Sequence, residues 1–169
     1  ILNTKLELII PCEYEYIEAL SDSLFKFREG SRWGVTDISR TIIVNADYET
    51  IVSESERLIK IGTYLPNGSL RELRYGLLDC KGNIIIPAEC KSITRIEEDN
   101  NIFFVVEKER RKGVVDKNGN IIVPFIYDYI SESGSPFYCV CRNKFHSFYK
   151  SNGERYICID IDKDCSKKV

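Results

Sequence analysis

Residues 112–130 read KGVVDKNGNIIVPFIYDYI, and residues 75–93 read YGLLDCKGNIIIPAECKSI. Laid over one another at an offset of 37 residues, they share a glycine, an aspartate, a second glycine, an asparagine, isoleucines, a proline and a closing isoleucine. In the first of them, GVVD (113–116) is a short β-branched run. DKNGN (116–120) follows, and its Asn and Gly accept the positive φ that a tight hairpin turn requires. IIV (121–123) is the return strand. Pro124 is expected to end it, because proline cannot donate to a ladder. YDYI (127–130) then opens a further extended segment. The stretch predicts antiparallel β-structure repeated along the chain.

Weaker copies lie on either side. WGVTDISRTIIVNADYETI (33–51) keeps Gly34, Asp37, the apolar triplet Ile42 to Val44, Tyr48 and Ile51, with Arg40 for the second glycine and Asn45 for the proline. HSFYKSNGERYICIDID (146–162) keeps Asn152 and Gly153, and LELIIPCEYEYI (6–17) matches the second half of the pattern. Gly34 to Asn45, Gly76 to Pro87 and Gly113 to Pro124 each span 11 residues. Three residues further lie Tyr14, Tyr48, Cys90 and Tyr127, and three more reach Ile17, Ile51, Ile93 and Ile130. Only the run from that isoleucine to the next glycine varies, at 17, 25 and 20 residues. A fixed frame with one tolerant connection is what a structural repeat shows.

These residues resemble the bacterial WG-repeat (KWG) family, whose unit reads as Trp-Gly, two apolar residues, Asp, a Gly-containing turn, Ile-Ile-Pro and Tyr-Asp-x-Ile. Trp33-Gly34 carries the name-giving pair; Tyr75-Gly76 and Lys112-Gly113 are variants of it, and His146-Ser147 stands there in the last copy. The likeness runs from about Leu6 to Ile159. It implies a β-repeat array, often attached to other domains, and no general catalytic activity.

The expected fold is all-β: tandem antiparallel hairpin or meander repeats in an open elongated array, with a propeller-like or partial barrel arrangement as the alternative. Each unit holds three or four strands. The units run over about 1–32 (partial), 33–74, 75–111, 112–145 and 146–169 (degenerate) of a single domain. The register gives Trp33, Val35, Ile43, Ile51, Leu77, Ile85, Ile93, Val114, Ile122 and Ile130 as core. Asp37, Asp79 and Asp116 start the turns by accepting backbone N–H bonds. Glu54 to Ile61 is the nearest approach to a helical period.

The composition is that of an ordinary globular protein, 43% hydrophobic and 30% charged with net charge −2, so any polyanion site must be a local patch. No apolar run is long enough to cross a bilayer, and none reads as a signal peptide. The start at Ile1 and the absence of methionine read as a segment of a longer protein. Seven cysteines, an odd number, argue against a disulfide framework and for a reducing cytosol.

No catalytic set assembles without His146, the one histidine, which occupies a repeat position. No phosphate loop is present, since GSRWG (30–34) lacks the required pattern. Cys139 and Cys141 are a single pair where a zinc site needs four converging ligands, and DIDKDC (160–165) lacks a calcium loop's glycine and glutamate, so no metal and no cofactor is expected. The turns before each glycine position carry a candidate cationic stripe: Arg28, Arg32, Arg71, Arg74, Arg110, Arg111, Lys112, Arg142 and Lys144. The segments after each proline position are acidic, with Glu13, Glu15, Glu18, Asp47, Glu49, Glu89, Asp128 and Glu132, so a bipolar surface is expected. Aromatic residues near the hairpin tips are sparse, which disfavours single-stranded nucleic acid.

The reading is therefore a non-catalytic binding module for a protein partner, engaged through the variable connections 18–33, 52–75, 94–112 and 131–146. The alternatives are polyanion or nucleic-acid binding by the cationic stripe, and an accessory domain of a larger protein. No membrane association is expected.

Overall fold

The computed structural model describes residues 14–65, 72–98, 100–131, 137–141 and 145–160. Among these residues the fold is all-β, in four antiparallel sheets of four strands, none closed into a barrel. The first sheet holds β1 (Tyr16–Ala19), β2 (Leu24–Glu29), β3 (Arg32–Asp37) and β4 (Ile42–Tyr48). The second holds β5 (Thr50–Ser55), β6 (Leu58–Tyr64), β7 (Leu73–Asp79) and β8 (Ile84–Cys90). The third holds β9 (Ser92–Glu98), β10 (Asn101–Lys108), β11 (Arg111–Asp116) and β12 (Ile121–Tyr127). The fourth holds β13 (Tyr129–Ile130), β14 (Phe137–Cys141), β15 (Phe145–Tyr149) and β16 (Arg155–Asp160). Each is a simple meander in chain order, so every hydrogen-bonded neighbour is also the sequence neighbour. The residues nearest to a helical period, 54–61, form the β5–β6 hairpin.

Contacts divide the chain into two compact units, residues 1–89 and 90–169. In the first, the two leading sheets share a core of Leu24, Val35, Val44, Ile51, Ile59, Ile61 and Leu78. In the second, the core contains Ile96, Phe103, Val105, Val114, Val123, Tyr127, Ile130, Phe137, Cys139 and Tyr149. Its tyrosines meet edge to face at 5.9 Å, with their hydroxyls 2.8 Å apart. This contact satisfies two polar groups that burial would otherwise leave costly.

Two expectations are corrected by the strands that end each sheet. Proline does not terminate them: β8 runs through Pro87 and β12 through Pro124. Both are outermost strands, where a missing donor is tolerated. The expected core residues Val35, Ile51, Leu77, Ile93, Val114 and Ile130 are buried, but Trp33, Ile43, Ile85 and Ile122 are only partly so. The deeper positions are Val44, Ile86 and Val123, one residue later in the strand. Val44 lies across from Val35, and Val123 from Val114.

The cause is an irregular ladder. Pairing slips between Trp33 and Val35 and again between Val35 and Thr36. It slips at the matching places, Lys112/Val114 and Val114/Val115, in the third sheet. Such bulges re-aim side chains. They bring the outer strand onto the repeat glycine. A Cβ on Gly34 would lie 2.7 Å from the Val44 carbonyl oxygen, on Gly76 2.7 Å from that of Ile86, and on Gly113 2.8 Å from that of Val123. The glycine of the motif is therefore room for a carbonyl. In the fourth sheet Ser147 stands at that position, and the β15–β16 ladder runs regularly from Phe145 to Phe148.

The turn after each aspartate is also a repeated object. The Asp116 Oδ1 accepts the N–H of Asn118 at 2.8 Å and of Asn120 at 2.9 Å, and its Oδ2 accepts the Asn120 side-chain amide at 2.8 Å. Asp79 does the same with Lys81 and Asn83. Asp37 accepts the Thr41 N–H at 2.8 Å. Burial opposes ionisation of Asp79 and Asp116, but these hydrogen bonds outweigh it and hold both carboxyls below the ordinary aspartate value. In the last copy the pair is recast as an ion pair, with Lys150 donating to Glu154 at 2.8 Å across the same four-residue separation. The left-handed position is Gly82, Gly119 or Gly153, and in the first copy Arg40, at φ 68°.

Candidate binding surface

The hairpins that carry the predicted cations are tight. Glu29 pairs with Arg32 around Gly30-Ser31, and Lys108 with Arg111 around Glu109-Arg110. Glu109 and Arg110 both have positive φ, 50° and 63°, the geometry of a type I′ turn built without glycine. Arg71, Arg142 and Lys144 lie outside the described residues, as do Glu13 and Glu132.

The structure brings three of the six remaining cations onto acids. Arg32 pairs with Glu49 at 3.0 Å and donates to the Asp47 carbonyl oxygen at 2.6 Å. Arg111 pairs with Asp128, and Arg74 with Glu72 at 2.8 Å. Lys112 lies in β11, half-buried, and Arg110 is exposed in its turn. The antiparallel ladder explains the Arg32 and Arg111 bridges. The aromatic position after the proline lies opposite the residue before the glycine: Trp33 faces Tyr48 and Lys112 faces Tyr127. The next residue out on each strand is then an arginine beside an acid. Cations and acids assigned to separate surfaces by sequence therefore meet at one sheet corner. For half-exposed pairs each contact contributes about 1 kcal/mol or less.

Arg28 is held differently. It lies across the ladder from Tyr16 on one side and from Trp33 on the other. The two rings meet edge to face with centroids 5.4 Å apart. The Arg28 guanidinium carbon is 6.0 Å from the Tyr16 ring centre and 5.9 Å from that of Trp33. Lys26 covers Trp33 from 4.9 Å and is pinned by Glu18 at 3.1 Å. Glu18 also accepts from the Tyr16 hydroxyl at 3.2 Å. The bonds and charge of Lys26 lower the Glu18 carboxyl from its ordinary value. The aromatic residues expected to be sparse near the hairpin tips are thus present at the first hairpin. The signal was available: in a hairpin closed by Gly30-Ser31, Arg28 and Trp33 are equidistant from the turn and must face one another. Tyr16 and Lys26 had no motif to mark them.

One apolar position recurs at the surface. The first residue of the outer strand is Ile42, Ile84 and Ile121 in the first three sheets, and these are 45%, 66% and 63% exposed. Those fractions put all three side chains in contact with solvent although the repeat keeps them isoleucine. Among the described residues no group of three or more His, Cys, Asp or Glu side chains could hold a metal ion, and no helix is long and apolar enough to cross a membrane. His146 lies half-buried in β15, between Val140 and Ile159 in the ladder. Cys139 is buried, which pushes its thiol up to about 12.

Sheets of one pattern in tandem, the first three with an Asp-initiated turn between their third and fourth strands and a glycine that makes room for the outer strand, define a β-repeat protein. The chain belongs to the WG containing repeat family, whose profile matches residues 1–33, 75–110 and 113–144, more than half of its length. No curated protein matches the chain.

Proposed function

We propose that this chain is a non-catalytic binding module whose partner is a protein. The observation that carries the reading is the recurring exposed isoleucine, Ile42, Ile84 and Ile121, at the start of each outer strand. Single exposed apolar side chains are ordinary. The same one in three copies, at a place where packing asks for none, supports a surface kept apolar for contact. The arginine–acid bridges at Arg32 and Arg111 count against a polyanion surface, because a phosphate chain would have to displace Glu49 and Asp128.

The test is affinity capture from a lysate of the source organism, with nuclease present, using the chain and its Ile42→Ser/Ile84→Ser/Ile121→Ser variant as baits. A discrete protein retained by the first and lost by the second is expected. Capture that vanishes with nuclease, or that the variant retains in full, overturns the reading.

A further inference from the structure

Arginine side chains present five N–H donors. In this protein the arginines at the hairpin corners use them on acids or a carbonyl oxygen, as Arg32, Arg74 and Arg111 do. Arg28 does not. Its Nε is buried without a hydrogen bond, and the guanidinium makes none with any described residue. Its one ion-pair partner among the described residues is Glu15, whose carboxylate stands 3.9 Å from Nε, beyond hydrogen-bonding distance. The Arg28 side chain is still 43% exposed although Nε itself is buried, so part of it meets solvent while its stem is fixed. The fixing is done by Tyr16 and Trp33 on the flanking strands and by Lys26, itself tied to Glu18. A guanidinium held in place with its donors unbonded is preorganised, because the rotamer entropy that binding would cost has already been lost. Trp, Tyr and Arg are also the residue types that dominate binding energy at protein interfaces.

We propose that the Tyr16–Arg28–Trp33 row is a receptor for a carboxylate of a protein partner, presented between apolar side chains that lie on the two rings. A carboxylate matches the planar fork of the guanidinium. Glu15 is the internal competitor: at 3.9 Å and 61% exposed it holds the site loosely and gives way to a better-placed carboxylate. Glu15 and Glu18 beside the arginine would repel a run of phosphates, which favours a single carboxylate over a nucleic-acid strand. The proposal rests on the binding-module reading, but its test does not use the captured partner, so the two fail separately.

Trp33 is the one tryptophan of the chain and sits against Arg28, so its fluorescence reports on the site. The whole chain is titrated with an acetylated, amidated Gly-Leu-Glu-Leu-Gly peptide, with the Gln counterpart of that peptide, and with a thymidine oligonucleotide. A saturable change with the Glu peptide is expected, about tenfold weaker for the Gln peptide and for Arg28→Gln. Glu15→Gln removes the competitor and is expected to tighten binding several-fold. This opposite sign keeps the test decisive even where Arg28→Gln disturbs the sheet. Equal response to the two peptides, no saturation at millimolar peptide, or weaker binding by Glu15→Gln overturns the proposal. Tighter, salt-sensitive binding of the oligonucleotide also overturns it, in favour of a phosphate site.

Discussion

Replacing Gly76 by alanine separates two reasons for a glycine. At Gly76 the added Cβ would lie 2.7 Å from the Ile86 carbonyl oxygen, 2.8 Å from the Ala88 nitrogen and 2.9 Å from the Ala88 Cα. All three are backbone atoms of β8, so no side-chain rotation relieves the clash. The outer strand must retreat by roughly half an ångström, an overpacking that costs about 1–3 kcal/mol. Strained ladder hydrogen bonds add about 1 kcal/mol. The less flexible unfolded chain returns about 0.4–1 kcal/mol. The net expectation is a loss of about 2–3 kcal/mol. Gly30 is the control: its φ is +58° and nothing lies within 4 Å of the added carbon, so only the left-handed backbone is penalised, by about 1 kcal/mol. Urea unfolding followed by Trp33 fluorescence and far-ultraviolet circular dichroism reads both variants in the same unit. If Gly76→Ala destabilises no more than Gly30→Ala, the glycine is not there to admit the outer strand.

Glu109→Asn/Arg110→Gly places the preferred type I′ pair where both residues already have positive φ. It is expected to stabilise the protein by about 1–2 kcal/mol in urea unfolding, and a loss of stability would refute the turn assignment. The carboxyls of Asp79 and Asp116 are held below the ordinary aspartate value in the folded protein. Their contribution is therefore present above the unfolded value of about 3.9 and is lost as pH falls through the lower folded values. Asp79→Asn/Asp116→Asn is expected to be less stable at neutral pH and to show a shallower decline on acidification, measured by urea unfolding between pH 6 and pH 3. Cys139, with its thiol pushed up to about 12, is expected to resist iodoacetamide at pH 8 until denaturant is added, while the half-buried Cys80 reacts; peptide mapping by mass spectrometry distinguishes them.

The fold was legible where local chemistry dictates it. A β-branched run, an Asp-x-x-Gly turn and a second apolar run can make little besides a hairpin, and their recurrence at one offset gave the tandem arrangement. The bulge was not legible, because it depends on the approach of two strands rather than on either alone. With it went the choice between Ile43 and Val44, or Ile122 and Val123, as the deeper residue, and the passage of strands through Pro87 and Pro124. Compared within each segment, the charges fall on two surfaces, because the cross-strand neighbour is not in the segment. Arg32 and Glu49 are 17 residues apart, as are Arg111 and Asp128, and that shared separation is the trace the bridges leave in the sequence. At Arg74 the residue 17 further on is Lys91, so no acid is offered there, and the arginine turns to Glu72.

The division of labour within a sheet follows from which half of it repeats. The third and fourth strands with their turn carry the glycine, the aspartate and the apolar triplet, and these are set by backbone clearance and turn hydrogen bonds that admit few substitutes. The first two strands answer to no such demand beyond burying apolar side chains, so their remaining residues are free to differ. Across the row that holds Tyr16 and Arg28 in the first sheet, the second sheet has Thr50 and Gly62, the third Ser92 and Glu107, and the fourth Tyr129 and Val140. The residue that closes the row also varies, from Trp33 to Tyr75, Lys112 and His146. Each sheet thus presents a different chemical row on one frame. The row of the first sheet holds an arginine whose guanidinium makes no hydrogen bond with any described residue, and the third replaces it with an acid. Recognition by such an array resides in the strands that the repeat pattern leaves unspecified, which is why the motif reveals the architecture of the chain and so little of its partner.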